Sequence, residues 1–167
     1  MKDPQSCLLS LDDAVVWREE LRKQGKKLVV TNGCFDLMHR GHASYLIEAA
    51  KLGDELLVLI NSDASVRKLK GDTRPLVSQN DRAYLLAALE SVSKVVVFDS
   101  SRCAKELAVL KPDIYAKAGD YTLEKLDFSE REALESSGSK IVFMPFVSGF
   151  STTNIVEKIA ASIEQKK

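Results

Sequence analysis

The sequence predicts an α/β fold: a single domain built on a doubly wound, five-stranded parallel sheet. Three observations carry this. Short runs rich in Val, Ile and Leu alternate along the chain with segments whose apolar residues recur at helical spacing. The run Leu56–Ile60 has no polar alternation, as expected of a strand covered by helices on both faces. The length of 167 residues, 45% of them apolar, suits one domain with a substantial core.

The elements follow in order. Ser10 precedes Leu11-Asp12-Asp13, an N-cap with acids in the first turn. Leu11, Ala14, Val15, Arg18 and Leu21 then form a mostly apolar stripe that stops at Gly25. This helix belongs to residues 1–26, an N-terminal segment expected to pack on a domain formed by residues 27–167. A strand over Lys27–Thr31 meets the turn at Asn32-Gly33, and a helix runs from Gly41 to Leu52. After the strand Leu56–Ile60, Asn61-Ser62-Asp63 begins a short helix over Ala64–Leu69. Lys70–Pro75 is a basic, turn-rich loop, and Ser78 caps a helix over Gln79–Leu89.

Lys94–Phe98 is the next strand. A helix from Ser100 or Ser101 to Leu110 ends ahead of Pro112. Ile114–Ala118 is a strand followed by Gly119-Asp120-Tyr121. Ser129 and Glu132 have capping-box spacing before a helix ending near Gly138. Lys140–Phe146 is the last strand. Ser151-Thr152-Thr153 opens the last helix, whose apolar stripe is Ile155, Val156, Ile159 and Ile163.

Lysine plus arginine equal aspartate plus glutamate, at 24 each. Such a chain has no general electrostatic pull on nucleic acid or anionic membrane, so neither is an expected partner. The three cysteines, Cys7, Cys34 and Cys103, are widely spaced and make neither a disulfide framework nor a zinc pattern. Reduced thiols, together with a start that reads as neither signal peptide nor anchor, predict a cytoplasmic protein.

Parallel sheets place ligands beyond the carboxyl ends of their strands. The turn after the first strand, the basic loop, Gly119-Asp120 and Ser151-Thr152-Thr153 all fall at that edge. His39 and His42, the only two histidines, sit where a strand and turn hand over to a helix. A helix N-terminus favours phosphate, and two imidazoles there can donate hydrogen bonds to the same anion. A metal pair would need a third ligand at ligand spacing, and none is present. Cys34 lies in the same turn, but no base can be assigned to it, so a structural role is expected.

The stretch Gly33-Cys34-Phe35-Asp36-Leu37-Met38-His39-Arg40-Gly41-His42 resembles the first signature of the nucleotidylyltransferase superfamily, in its cytidylyltransferase-like branch. The resemblance runs from near Trp17 to the C-terminus. It implies a Rossmann-like fold that transfers a nucleoside monophosphate from a triphosphate to a phosphorylated acceptor and releases pyrophosphate. Mapped onto this chain, it implies that His39, His42 and Lys70, favoured over Lys68, act in the transfer. Gly33, Cys34, Phe35, Asp36, Arg74, Arg82, Gly119, Asp120, Ser151, Thr152 and Thr153 would bind the nucleotide. Magnesium would bridge the phosphates, with no protein ligand assigned to it.

Within the branch, Thr31–Asp36, Asn61-Ser62-Asp63, Leu69–Pro75, Lys117–Tyr121 and Ser151–Ile155 resemble the heptose-1-phosphate adenylyltransferases. These join ATP to D-glycero-β-D-manno-heptose 1-phosphate, giving ADP-heptose for lipopolysaccharide cores, and this chain would be a stand-alone version. Two places depart from that pattern: Ala118, where it has glycine, and the segment Leu126–Ser136. Glycerol-3-phosphate cytidylyltransferases, which use CTP, share the histidine signature but carry an arginine where this chain has Phe146. A nucleotide-binding sensor without turnover is the alternative of another class. Relatives often pair through sheet-edge or helix surfaces, which admits a homodimer, although no apolar seam for one is legible.

Overall fold

The computed structural model describes residues 2–119, 122–145 and 149–164. Six strands hydrogen-bond into one parallel sheet: β1 (Leu8–Leu9), β2 (Leu28–Gly33), β3 (Glu55–Asn61), β4 (Lys94–Phe98), β5 (Ile114–Ala118) and β6 (Lys140–Met144). Their spatial order is β1-β4-β3-β2-β5-β6. The helices are α1 (Leu11–Lys23), α2 (Arg40–Ala50), α3 (Asp63–Lys70), α4 (Gln79–Ala87), α5 (Ala104–Leu110), α6 (Phe128–Ser136) and α7 (Thr152–Glu164). The α/β class, the parallel sheet and the alternation of strand and helix are those the sequence predicts.

The strand count is corrected from five to six. Leu8 and Leu9 pair with Val95 and Val96 at the sheet edge. Two residues are too few to show a period of two, so only their register against β4 makes them a strand. The N-cap of α6 also moves. Asp127, not Ser129, takes the cap, and its side chain accepts from the amides of Ser129 and Glu130. Ser10, Ser62 and Ser78 cap α1, α3 and α4 by accepting from the amide three residues on.

Two apolar layers cover the sheet. One gathers Val29, Val58, Ile60 and Ala116 from the strands with Leu46, Ala49, Leu86 and Ala87 from α2 and α4. The other gathers Val30, Leu57, Leu59 and Tyr115 with Ala14, Leu21, Leu107 and Leu134 from α1, α5 and α6. Every residue from Leu56 to Ile60 is at most 1% exposed, which is why β3 reads as an unbroken apolar run. Arg18 of α1 reaches Asp113 at 2.9 Å, and Asp113 accepts from the amide of Leu28, so the N-terminal helix is tied to the start of β2. On α7, Ile155 and Val156 are half-buried while Ile159 and Ile163 are exposed. Among the described residues, no helix is long and apolar enough to cross a membrane.

The chain lays β2, β3 and β4 in one direction and then returns to place β5 on the other side of β2. The reversal opens a crevice at the carboxyl ends of β2 and β5, the place where open α/β sheets bind ligands.

Candidate active site

Strand β2 ends in a turn in which Phe35 takes φ +50°, a left-handed conformation that bulky residues rarely adopt. Phe35 is buried and its ring lies 5.2 Å from that of His42. His39 is the N-cap of α2, with extended backbone and no side-chain cap bond. The rings of His39 and His42 stack with centroids 3.9 Å apart and planes 18° from parallel. Gly41 makes this stacking feasible: a Cβ there would stand 3.0 Å from the His39 ring and from Cβ of Phe150. Glycine between the histidines is therefore a matter of space.

Burial disfavours a charged imidazole, and the neighbouring ring adds to the cost. His42 is lowered to about 4 by burial first and by His39 second. Burial also lowers His39. Each ring has its Nδ1 sealed from solvent with no hydrogen-bond partner among the described residues. A stacked pair with unpaired nitrogens, whose charge the free site disfavours, is poised for an anion, which would favour protonation.

Across from this pair lies the start of α7. Ser151 Oγ accepts from the amide of Asn154 at 3.0 Å, and Thr152 Oγ1 lies 3.5 Å from the carbonyl of Leu37. The N-termini of α2 and α7 thus face one cavity of about 370 Å³, lined by His39, His42, Tyr45, Phe150, Ser151 and Thr152 among others. A second cavity of about 220 Å³ adjoins it, lined by Asn32, Gly33, Cys34, Phe35 and Lys117. His42, Tyr45 and Ala118 line both. Tyr45 is buried, with its hydroxyl 2.7 Å from Thr31 Oγ1.

The structure sorts the residues singled out from the sequence. His39, His42, Ser151 and Thr152 meet at the larger cavity; Gly33, Cys34 and Phe35 line the smaller. Thr153 is exposed beside the cavity rather than in its wall. Gly119 is buried at φ +111° and donates its amide to Met144 at 2.9 Å, joining the ends of β5 and β6. Asp120 and Phe146 lie outside the described residues. Cys34 is half-buried, its thiol pushed up chiefly by burial, and its Sγ lies 3.8 Å from Asn61 Oδ1.

Arg82, Asp36 and Arg74 are engaged with the protein itself. Arg82 is fully buried and donates to the carbonyls of Val77, Cys34 and Asn61 and to Asp63 Oδ1. Its guanidinium stitches the ends of β2 and β3 to the loop ahead of α4. Asp36, 4% exposed, accepts from Arg74 Nε and from the amides of Leu76 and Val77 at 2.7 and 3.0 Å. A buried carboxylate thus holds the loop after α3 against the turn after β2. Lys70, the last residue of α3, and Lys68 are both exposed.

Tyr45 and Phe150 line the larger cavity and were not singled out from sequence. Tyr45 follows His42 by three residues, a spacing that shares a helix face, so its signal was available. Phe150 is adjacent to Ser151, but only the approach of α7 to α2 brings it 6.4 Å from the His39 ring.

Residues 30–158 match the family model described as cytidylyltransferase-like, a span that takes in both histidines and the start of α7. The chain belongs to the cytidylyltransferase-like family. It is similar to the bifunctional protein HldE of Pelobacter propionicus, 46% identical over 157 residues, covering 94% of this chain and 32% of that one. To the HldE of Geotalea uraniireducens it is 49% identical, with the same shares. The chain spans about a third of the length of these curated relatives. A crystal structure of a lipopolysaccharide core biosynthesis protein from Thermoplasma volcanium superposes with TM-score 0.60 at 30% identity, covering 76% of this chain and all of that one. The family and these relatives make the chain a nucleotidyltransferase.

Proposed function

We propose that this chain transfers the adenylyl group of ATP to a sugar 1-phosphate, with D-glycero-β-D-manno-heptose 1-phosphate as the acceptor and ADP-heptose as the product. One observation carries the chemistry: the stacked His39–His42 pair at the start of α2 faces the start of α7 across a single cavity. The likeness to HldE proteins and to a lipopolysaccharide core biosynthesis protein supports the acceptor.

In the transfer, a phosphate oxygen of the acceptor attacks the α-phosphorus of ATP. The new P–O bond forms as the bond between the α-phosphorus and the bridging α–β oxygen breaks, and pyrophosphate leaves with that electron pair. Both reactants are anions, so alignment and charge stabilisation dominate the catalysis. His39 and His42 donate to the phosphate oxygens as charge shifts toward the leaving group. Ser151, Thr152 and the amides at the start of α7 hold the outer phosphates. Lys70 reaches the phosphates from the end of α3, ahead of the loop that Asp36 anchors. Arg82, and Arg74 through Asp36, set the backbone around the site.

Magnesium fits this arrangement as a companion of the nucleotide. Among the described residues no group of three His, Cys, Asp or Glu gathers to hold a metal ion. Hydroxyl and phosphate oxygens suit magnesium, which commonly leans on substrate oxygens and water. It would supply charge neutralisation at the outer phosphates beside Ser151 and Thr152.

Pyrophosphate release with ATP and heptose 1-phosphate, set against CTP and glycerol 3-phosphate, tests the reading. Turnover with the first pair is the expected result. Turnover with CTP and glycerol 3-phosphate alone would reassign both substrates. Nucleotide binding without pyrophosphate for either pair would make the chain a sensor.

A further inference from the structure

The smaller cavity holds a polar cluster that the transfer chemistry has not used. Lys117, near the end of β5, places Nζ 2.7 Å from Asn32 Oδ1 at the end of β2. The buried Tyr115 hydroxyl lies 2.6 Å from the same Oδ1 and 3.2 Å from Lys117 Nζ. Lys117 and Tyr115 are successive residues on one face of β5, so the cluster is built on rigid strands rather than on a loop. Two donors converging on Oδ1 fix the orientation of the Asn32 amide and leave its Nδ2 as the group available to a ligand.

We propose that Asn32 and Lys117 form the subsite for the acceptor's phosphate. This rests on the nucleotidyl-transfer reading and adds which cavity takes which substrate. The larger cavity has hydroxyls at a helix start and walls from Phe150, Pro145 and Ala118, features that suit a nucleotide's phosphates and base. The smaller also has apolar wall from Phe35, Tyr45 and Ala118, but of the two it is the one lined by an ammonium and an amide, the donors that suit a phosphate. In-line displacement needs the attacking and leaving oxygens on opposite sides of the phosphorus. His42 belongs to the walls of both cavities, so it stands where the two substrates meet. An acceptor held at Lys117 attacks from the side away from α7, where the pyrophosphate is held.

The test uses the full chain and two variants, Lys117→Met and Asn32→Asp, with ATP and heptose 1-phosphate varied independently. Asn32→Asp keeps the shape and replaces a donor with a carboxylate that engages the lysine and repels phosphate. It carries the test if Lys117→Met does not fold. The expected result is a KM for heptose 1-phosphate raised by about tenfold or more, with the KM for ATP within about threefold of the parent, since losing one charge-assisted contact is a change of this order. Lys117→Arg recovers part of the loss. A raised KM for ATP with the acceptor's KM unchanged, or no change in either, overturns the assignment. If the parent chain turns over no sugar phosphate, the transfer reading is what fails. Calorimetric titration with inorganic phosphate then decides the subsite separately: binding weakened in both variants supports it, and equal binding in all three chains overturns it.

Discussion

At the residue scale, the histidine pair shows how burial and chemistry pull against each other. The free site disfavours charge on both rings, while bound phosphate oxygens favour it. Bound anions favour the protonated form, so nucleotide binding should take up protons near pH 6 to 7. Calorimetry in two buffers of different ionisation enthalpy measures that uptake; an identical heat in both buffers would count against it. The same shift predicts a stability slope. Between about 6.5, the value in the unfolded chain, and about 4, the value held in the fold, the unfolded chain binds a proton that native His42 refuses. Stability therefore rises with pH across that window, and His42→Gln should flatten part of the rise in urea-unfolding midpoints. Replacing either histidine by alanine should lower pyrophosphate release by about a hundredfold, the loss of one positioned donor worth about 3 kcal/mol. Circular dichroism should show an intact fold in both.

At the element scale, the sequence located the helices and strands through periodicity and caps, and most of these placements hold. Lys94–Phe98 was legible because a β-branched run ended at turn residues, and Ile114–Ala118 because it lay between Pro112 and Gly119. What stayed hidden was the pairing between elements. Arg82 reads as a cation on a helix near a basic loop, so the resemblance assigned it to phosphate. Its burial, with carbonyls of Cys34, Asn61 and Val77 around it, follows only from the docking of α4 against β2 and β3. Arg82→Ala leaves these carbonyls and Asp63 without their donor, and should destabilise by about 3–5 kcal/mol in chemical denaturation. Asp36 is a parallel case. Asp36→Asn removes the charge that holds Arg74 and weakens acceptance from Leu76 and Val77. Hydrogen exchange at those two amides should quicken while exchange in β3 stays unchanged.

At the scale of the whole molecule, the strand order decides function. The reversal between β2 and β5 makes the crevice, and the return of the chain to α7 closes one side of it with a second helix N-terminus. The N-terminal segment contributes to the same body: Leu8 and Leu9 extend the sheet, and Ala14 and Leu21 enter a core layer. We infer that residues 1–26 are a packed appendage of a domain formed by residues 27–167. A chain starting at Lys27 should lose several degrees of Tm or more, because it exposes that layer and unpairs Asp113 from Arg18. Equal Tm values for the two chains would overturn that division.

By itself, the sequence determined the fold class, the position of nearly every element, and the histidine, glycine and hydroxyl residues that converge at the sheet's carboxyl edge. These are properties of local period, turn chemistry and motif, which neighbouring residues encode. The tertiary structure alone decided the sixth strand, the burial of Arg82 and Asp36, the stacking of His39 on His42, and the placement of Asn32 beside Lys117. Those depend on contacts between residues as distant as Leu8 and Val95 or Asn32 and Lys117, and no local pattern specifies which distant partner a buried charge will find.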